Sequence, residues 1–180
     1  MTPTGRFVFD EPTADMVRVN DIALALSREH RFANFSSGTV ALHSLWVCRL
    51  LLPHGRDAQL IGLLHDASEA YLRDIPKPLK DMLPGYRDVE TKIQNLIYQK
   101  YLGRLPSEGE LLVLHDADME MLSVEGNHLF GSEELADWSC LDGHDSIMTE
   151  EEKGEWLEDY ENSFSQQNSS NFIKTFTALI

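Results

Sequence analysis

The apolar run Leu60-Ile61-Gly62-Leu63-Leu64 ends abruptly in His65-Asp66-Ala67-Ser68-Glu69. No other stretch constrains the fold so tightly. Residues Asp57 to about Tyr71 read as one helix whose first half belongs in a core. Burying unpaired charge costs several kcal/mol or more. A helix that carries His65, Asp66 and Glu69 inward therefore needs a metal, a ligand or strong hydrogen-bond partners. On a regular helix His65 and Glu69, at i and i+4, share one face. Asp66 is rotated by about 100° and can converge on the same ion from the side.

Helical periodicity dominates the rest of the chain. Asn20-Asp21 is expected to cap a helix through about Arg28, with Ile22, Leu24, Ala25 and Leu26 apolar. Asn34 to Gly38 reads as a polar loop. A helix from about Thr39 to Leu52 is stopped by Pro53 and Gly55. Arg73 to Pro78 is expected to be irregular, because Pro76 and Pro78 restrict the residues before them. Tyr86 to Leu102 is amphipathic, with Val89, Ile93, Leu96, Ile97 and Tyr101 on one side. Ser107 to Glu110 is a capping box for a helix through about Glu125, and Thr149 to Glu152 is a second for a helix to about Ser165. Ser165 to Asn171 reads as a polar linker, and Phe172 to Ile180 as a segment that docks or frays. Strand signals are nearly absent, and the expected fold class is all-α. The expected division is a core over residues 1–128 and an acidic, helical extension over 129–180, packed on the core or trailing it.

The charge supports that division. The net charge is −15, which argues against a nucleic-acid duplex as partner. Up to Asp118, sixteen acids face thirteen basic residues; beyond it, fourteen acids face only Lys153 and Lys174. The first part can therefore hold an anionic small molecule, while the last reads as a solvated surface. Cys48 and Cys140 have no metal-like spacing, so a reducing cytoplasm is expected. Met1 to Arg6 has no secretory apolar region, and no apolar run reaches the roughly 18 residues of a membrane span.

Candidate ligands for a divalent ion lie on three helices. His43 sits mid-helix among Ala41, Leu42, Leu45 and Trp46, where a ligand and a satisfied core histidine are both at home. His65-Asp66 is the second candidate. The third is Asp118, with Leu111, Leu114, Met121 and Leu122 at helical spacing. Asp116 lies about 200° around the axis from it, with Glu120, Leu112 and Met119. His115 is either a partner of Asp118 or a boundary histidine.

The order His43, His65-Asp66, Asp118 on an all-α chain resembles the HD-domain metal-dependent phosphohydrolases. The string from Leu63 to Lys80 is more specific. It is similar to the 5′-deoxynucleotidase-like branch, which has an HD-A-x-E motif followed by a G-D-[IL]-P-x-P-[LVI]-K segment. That branch includes phage dATP triphosphohydrolases, which Asp21 to Ser27 and Arg31-Phe32 also resemble. The likeness runs from about Gly5 to Met121. Arg73 stands where the pattern has glycine, and the loop between Arg31 and His43 is shorter than in the deoxynucleotidases.

The resemblance implies an HD-domain helical bundle in which His43, His65, Asp66 and Asp118 hold one divalent metal, with Zn, Co, Mn and Mg as candidates. Further ions would accompany a triphosphate. It implies Glu69 as general base or acid, and Asp74 as a second catalytic carboxylate. Arg31 would clamp phosphate and Lys80 would reach the outer phosphates. Phe32 would pack on sugar or base, Asn34 would face the base and Pro78 would bound its pocket. The implied substrate is a deoxynucleotide, foremost dATP cut to deoxyadenosine and triphosphate, as in a phage that depletes dATP in favour of 2-aminoadenine. The alternatives are a 5′-deoxynucleotidase on monophosphates and a non-catalytic nucleotide-binding regulator. A homo-oligomer, dimer or hexamer, is also implied.

Overall fold

In the computed structural model, which describes every residue except Met1, Thr4 and Phe164, the chain folds into helices alone. Backbone pairing of strand type among the described residues is limited to two isolated bridges, Thr2 with Gly5 and His30 with Thr39. The helices are α1 (Val19–Leu26), α2 (Arg31–Asn34), α3 (Val40–Leu50), α4 (Arg56–Leu64), α5 (Glu69–Leu72), α6 (Lys77–Met82), α7 (Tyr86–Tyr101), α8 (Glu108–Phe130), α9 (Ser132–Leu135), α10 (Glu150–Glu161) and α11 (Ser165–Leu179). None is long and apolar enough to cross a membrane among the described residues.

Local chemistry sets many of the boundaries. Thr39 caps α3 by accepting from the Leu42 amide. Both capping boxes form, with Ser107 and Glu110 opening α8 and Thr149 and Glu152 opening α10. Other boundaries differ from expectation. Arg18, not Asn20-Asp21, is the N-cap of α1, and Asp21 lies inside the first turn, where a carboxylate suits the helix dipole. Lys77 and Pro78 are not irregular but form the first turn of α6 after Pro76, where a missing amide hydrogen is no loss. Helix α8 continues past Glu125 to Phe130, and α10 stops at Glu161, before Ser165.

The expected linker at Ser165–Asn171 is the start of α11. Its buried stripe is Asn168, Phe172 and Phe176, each four residues apart. Asn168 disguised that stripe because it is polar. Its amide donates to Thr39 Oγ1 at 2.9 Å and to Ser163 Oγ at 2.6 Å, so both amide hydrogens are paired in the interior.

Helix α3 is the axis of the packing, flanked by α4, α8, α10 and α11, while α11 also lies along α1. Met148, Trp156, Tyr160, Phe172 and Phe176 join the same buried cluster as Ile22, Leu26, Trp46, Leu63 and Leu64. Residues after 129 therefore share one core with those before it. Glu120, on the buried side of α8, fastens the segment leading into α10. It accepts from His144, from the Ser146 hydroxyl and from the amides of Ile147 and Met148.

Candidate metal centre

The centre begins with a glycine. A Cβ on Gly62 of α4 would lie 2.6 Å from Leu51 Cδ1 and 3.3 Å from the Cys48 Cα. The bare Gly62 thus lets α3 and α4 approach closely. His43 of α3 and His65, just past the end of α4, then face each other with their Nε2 atoms 3.3 Å apart. Each ring is fixed through its other nitrogen. His65 Nδ1–H donates to the Gly62 carbonyl at 2.7 Å, and His43 Nδ1–H donates to Glu125 Oε1 at 3.2 Å. Those bonds assign the tautomer that offers both Nε2 lone pairs to a common ligand.

The helix does not run unbroken from Asp57 to Tyr71. It stops at Leu64, passes through a tight turn at residues 65–68, and resumes as α5 at Glu69. A side chain from α7 causes the break. In a regular helix the Ser68 amide would bond the Leu64 carbonyl. Instead the Leu64 carbonyl accepts from Gln94 Nε2 at 2.7 Å, and the Ser68 amide donates to Gln94 Oε1 at 3.1 Å. Insertion of a side-chain amide into the ladder is a recognised cause of a helix break. Within the turn the amides of Ala67, Glu69 and Ala70 bond three residues back. At three residues per turn Glu69 lies above Asp66 rather than above His65, which corrects the one-face argument for His65 and Glu69.

Asp66 Oδ2 lies 3.2 Å from His65 Nε2 and 3.9 Å from His43 Nε2. His43, His65 and Asp66 form a group whose ligand atoms all lie within 4.8 Å of one another, and which could hold a metal ion. Asp118 of α8 is the fourth expected member. Its Oδ1 is 3.0 Å from His43 Nε2 and 3.7 Å from His65 Nε2. Asp116 is exposed on the other side of α8, and His115, three residues before Asp118, is exposed as well.

Glu125 is the residue that the sequence reading missed. Two helical turns beyond Asp118, it is 4% exposed and shares its face of α8. Besides holding His43, it accepts from Arg31 Nε at 3.0 Å. Arg31 in turn reaches Asp66 Oδ2 at 3.6 Å. Spacing from Asp118 was the available signal, but the position lay at the expected end of the helix.

The electrostatics of this group call for positive charge. Burial opposes protonation of His65, yet Asp66 and Asp118 raise its pKa well above the usual range. Burial and Arg31 oppose protonation of His43, and Glu125 and Asp118 outweigh them. Asp66 and Asp118 are driven down despite burial, by the two imidazoles. The donor set thus attracts either protons or a cation.

Glu69 behaves in the opposite way. It is buried, and burial followed by the charges of Asp66 and Asp74 raises its pKa well above the ordinary value. Its Oε1 accepts from Lys80 at 3.2 Å, while Oε2 has no hydrogen-bond partner among the described residues. Lys80 is shared with Glu90 of α7 at 2.6 Å, a second partner missed from sequence. Asp74 is half-buried, and its carboxyl is raised by burial against the pull of Arg31. Its amide donates to Glu29 Oε1 at 3.4 Å. Arg73, where the resembled pattern has glycine, has φ 76° and ψ 157°. That region is essentially glycine's own, and Arg73 is held there with its guanidinium on Glu29.

Arg31 stands at the mouth of a closed loop. Its amide bonds the Gly38 carbonyl at 3.0 Å, and the Val40 amide bonds the Glu29 carbonyl at 2.9 Å. Within it Phe32, Ala33 and Asn34 all have positive φ, at 56°, 52° and 72°, so α2 is a left-handed turn. Such residues cost about 1–2 kcal/mol each, and the C-terminal helices brace them. The Tyr160 hydroxyl is 3.1 Å from Ser36 Oγ and accepts from the Ser37 amide at 3.2 Å. A Cβ on Gly38 would sit 2.6 Å from the Tyr160 ring. Phe32 contacts the rings of Phe130 and Trp138. Asn34 and Pro78 are exposed, and neither makes a hydrogen bond to the His–Asp group among the described residues.

The protein is therefore an all-helical chain that gathers two histidines and an aspartate into a group able to hold a metal ion. No family model matches the chain. It is 39% identical over 139 residues to the uncharacterized protein YfdR of Escherichia coli (strain K12), across 76% of this chain and 74% of that protein. The chain belongs to the family of YfdR.

Proposed function

We propose that this protein is a metal-dependent phosphohydrolase of the HD-domain type acting on deoxynucleoside 5′-phosphates, with dATP cut to deoxyadenosine and triphosphate. The observation that carries the reading is the pair of Nε2 atoms of His43 and His65, 3.3 Å apart and tautomerically assigned, beside Asp66 and Asp118. Two imidazoles and two carboxylates suit Zn, Co or Mn better than Mg, which prefers oxygen ligands. A divalent ion there would supply Lewis acidity toward a phosphate oxygen and acidify water.

The remaining side chains divide the work. The Arg31 guanidinium, beside Asp66, would bind phosphate oxygens. Lys80 adds a second cation and also holds the Glu69 carboxyl. Glu69, with its raised pKa and unpartnered Oε2, can donate a proton to the leaving 5′ oxygen. Asp74, raised more modestly, is the second carboxyl for proton transfer.

Purified protein assayed on dNTPs and dNMPs with Mn²⁺, Co²⁺, Zn²⁺ or Mg²⁺ tests the reading. The expected result is metal-dependent release of triphosphate from dATP. Asp66→Ala should lose metal and activity together, and Glu69→Gln should lose activity while keeping metal. Because the imidazole pKa values are raised, protons compete with the ion, and its affinity should rise between pH 6 and pH 8. Pyrophosphate release, or turnover of monophosphates alone, would sink the triphosphohydrolase assignment; no turnover with any metal would sink the enzyme.

A further inference from the structure

Among the described residues, the positions other than glycine with positive φ are Phe32, Ala33, Asn34 and Arg73. The first three share one turn. Arg73 stands apart from them, immediately before Asp74. A residue in so unfavourable a conformation persists only where its surroundings over-determine it. The Arg73 amide donates to the Glu69 carbonyl at 2.8 Å, and the Tyr86 hydroxyl donates to the Arg73 carbonyl at 3.5 Å. The Arg73 guanidinium donates to Glu29 Oε2. The same carboxylate holds the next residue, because the Asp74 amide donates to Glu29 Oε1 at 3.4 Å.

Glu29 differs from an ordinary surface carboxylate. Its side chain is 14% exposed, against 73% for Arg73, so the acceptor lies under the turn and the guanidinium covers it from solvent. An exposed ion pair adds little by itself. Here it fixes the rotamer of a carboxylate that also accepts a backbone amide. The main chain of Glu29 is fixed too: its amide donates to the Ala25 carbonyl at 3.0 Å, and its carbonyl accepts from the Val40 amide at 2.9 Å. The second bond closes the loop that carries Arg31. One residue thus ties that loop to the turn that carries Asp74. Asp74 lies close enough to Arg31 and Asp66 for their charges to act on its carboxyl. A glycine in place of Arg73 would adopt the same backbone freely but would bring no guanidinium to Glu29.

We propose that Glu29 is a positioning residue. By accepting the Asp74 amide and anchoring the Arg73 side chain, it aims the Asp74 carboxyl at the His–Asp group alongside Arg31. For the work that Asp74 does there, this rests on the phosphohydrolase reading. Glu29 acts through Asp74 and not on a ligand directly.

Two readouts on the full-length protein test it, one of them independent of turnover. Glu29→Met keeps the stem of the side chain and removes the acceptor. Exchange of the Asp74 amide hydrogen, followed by NMR, should then quicken about tenfold, while Co²⁺ affinity stays unchanged. In dATP hydrolysis kcat should fall at least about tenfold, with KM little altered. Glu29→Gln, whose amide oxygen still accepts from Asp74, should change less on both counts. The kinetic losses of Glu29→Met and Asp74→Asn should not multiply in the double variant, because both act through one carboxyl. Unchanged Asp74 exchange in Glu29→Met, or losses that multiply, would overturn the positioning role. Faster exchange in a protein that hydrolyses no nucleotide keeps Glu29 as the anchor of the turn and defeats the hydrolase; hydrolysis at the parental kcat in Glu29→Met does the reverse.

Discussion

Glu125 shows how much of the centre depends on side chains that need not touch an ion. One of its oxygens takes the Nδ1–H of His43 and the other takes Arg31. It therefore sets the tautomer of one candidate ligand and the placement of the cation nearest Asp66. Glu125→Gln keeps the shape but removes the charge; its amide oxygen can still accept from one partner, while its NH₂ can accept from neither, so one of the two bonds is lost. Changes to groups that orient metal ligands typically cost 10–100-fold in affinity or activity. Titration of the variant with Co²⁺ or Zn²⁺ should show a loss in that range, alongside a lower melting temperature, because Arg31 or His43 loses a buried partner. Unchanged metal affinity would mean that His43 is oriented by packing alone. At this scale His43, His65, Asp66 and Asp118 could be picked out from sequence because histidine and aspartate are conspicuous among apolar neighbours. Glu125 could not, since a glutamate near the end of an acidic helix looks like its solvated neighbours until Arg31, distant in sequence, is folded against it.

The element that organises the site is the break between α4 and α5. Capping boxes, the proline stop after α3 and the amphipathic stripe of α7 are local signals, and the structure follows them closely. The break has no local signal. Its cause, Gln94, lies 26 residues beyond Ser68 as a polar residue on the packed face of α7, beside Ile97 and Tyr98. Gln94→Ala should leave the Leu64 carbonyl and Ser68 amide either unpaired or free to bond each other. If unpaired, stability should fall by about 1–3 kcal/mol in urea unfolding. If they pair, the turn becomes regular helix and Asp66 rotates out of register with the two imidazoles. Both routes weaken metal binding, and amide exchange at Ser68 separates them. A variant with wild-type stability and metal affinity would show that the turn is imposed by something other than Gln94.

Across the whole molecule, the strongly acidic last third looked like surface because charge dominates its composition. Fourteen acids against two lysines after Asp118 conceal the few residues that matter to the core. Trp156, Tyr160, Phe172 and Phe176 are buried there, and their acidic neighbours are the outer faces of the same helices. This arrangement makes the last helix structural. It packs against α1, α3 and α4, and α3 and α4 are the two helices that bring His43 and His65 together. Replacing a buried phenylalanine with alanine costs about 3–5 kcal/mol, a large share of the 5–15 kcal/mol that holds a typical domain. Phe172→Ala should therefore lower the unfolding free energy by that amount, measured in urea. A chain ending before Ser165 loses Phe172, Phe176 and the Asn168 bond to the Thr39 cap of α3 in one step. It should show no cooperative thermal transition by circular dichroism and should not bind Co²⁺. A truncated chain that melts cooperatively near the parental temperature would mean that α1, α3 and α4 close a core without α11, and that the acidic segment is an addition after all.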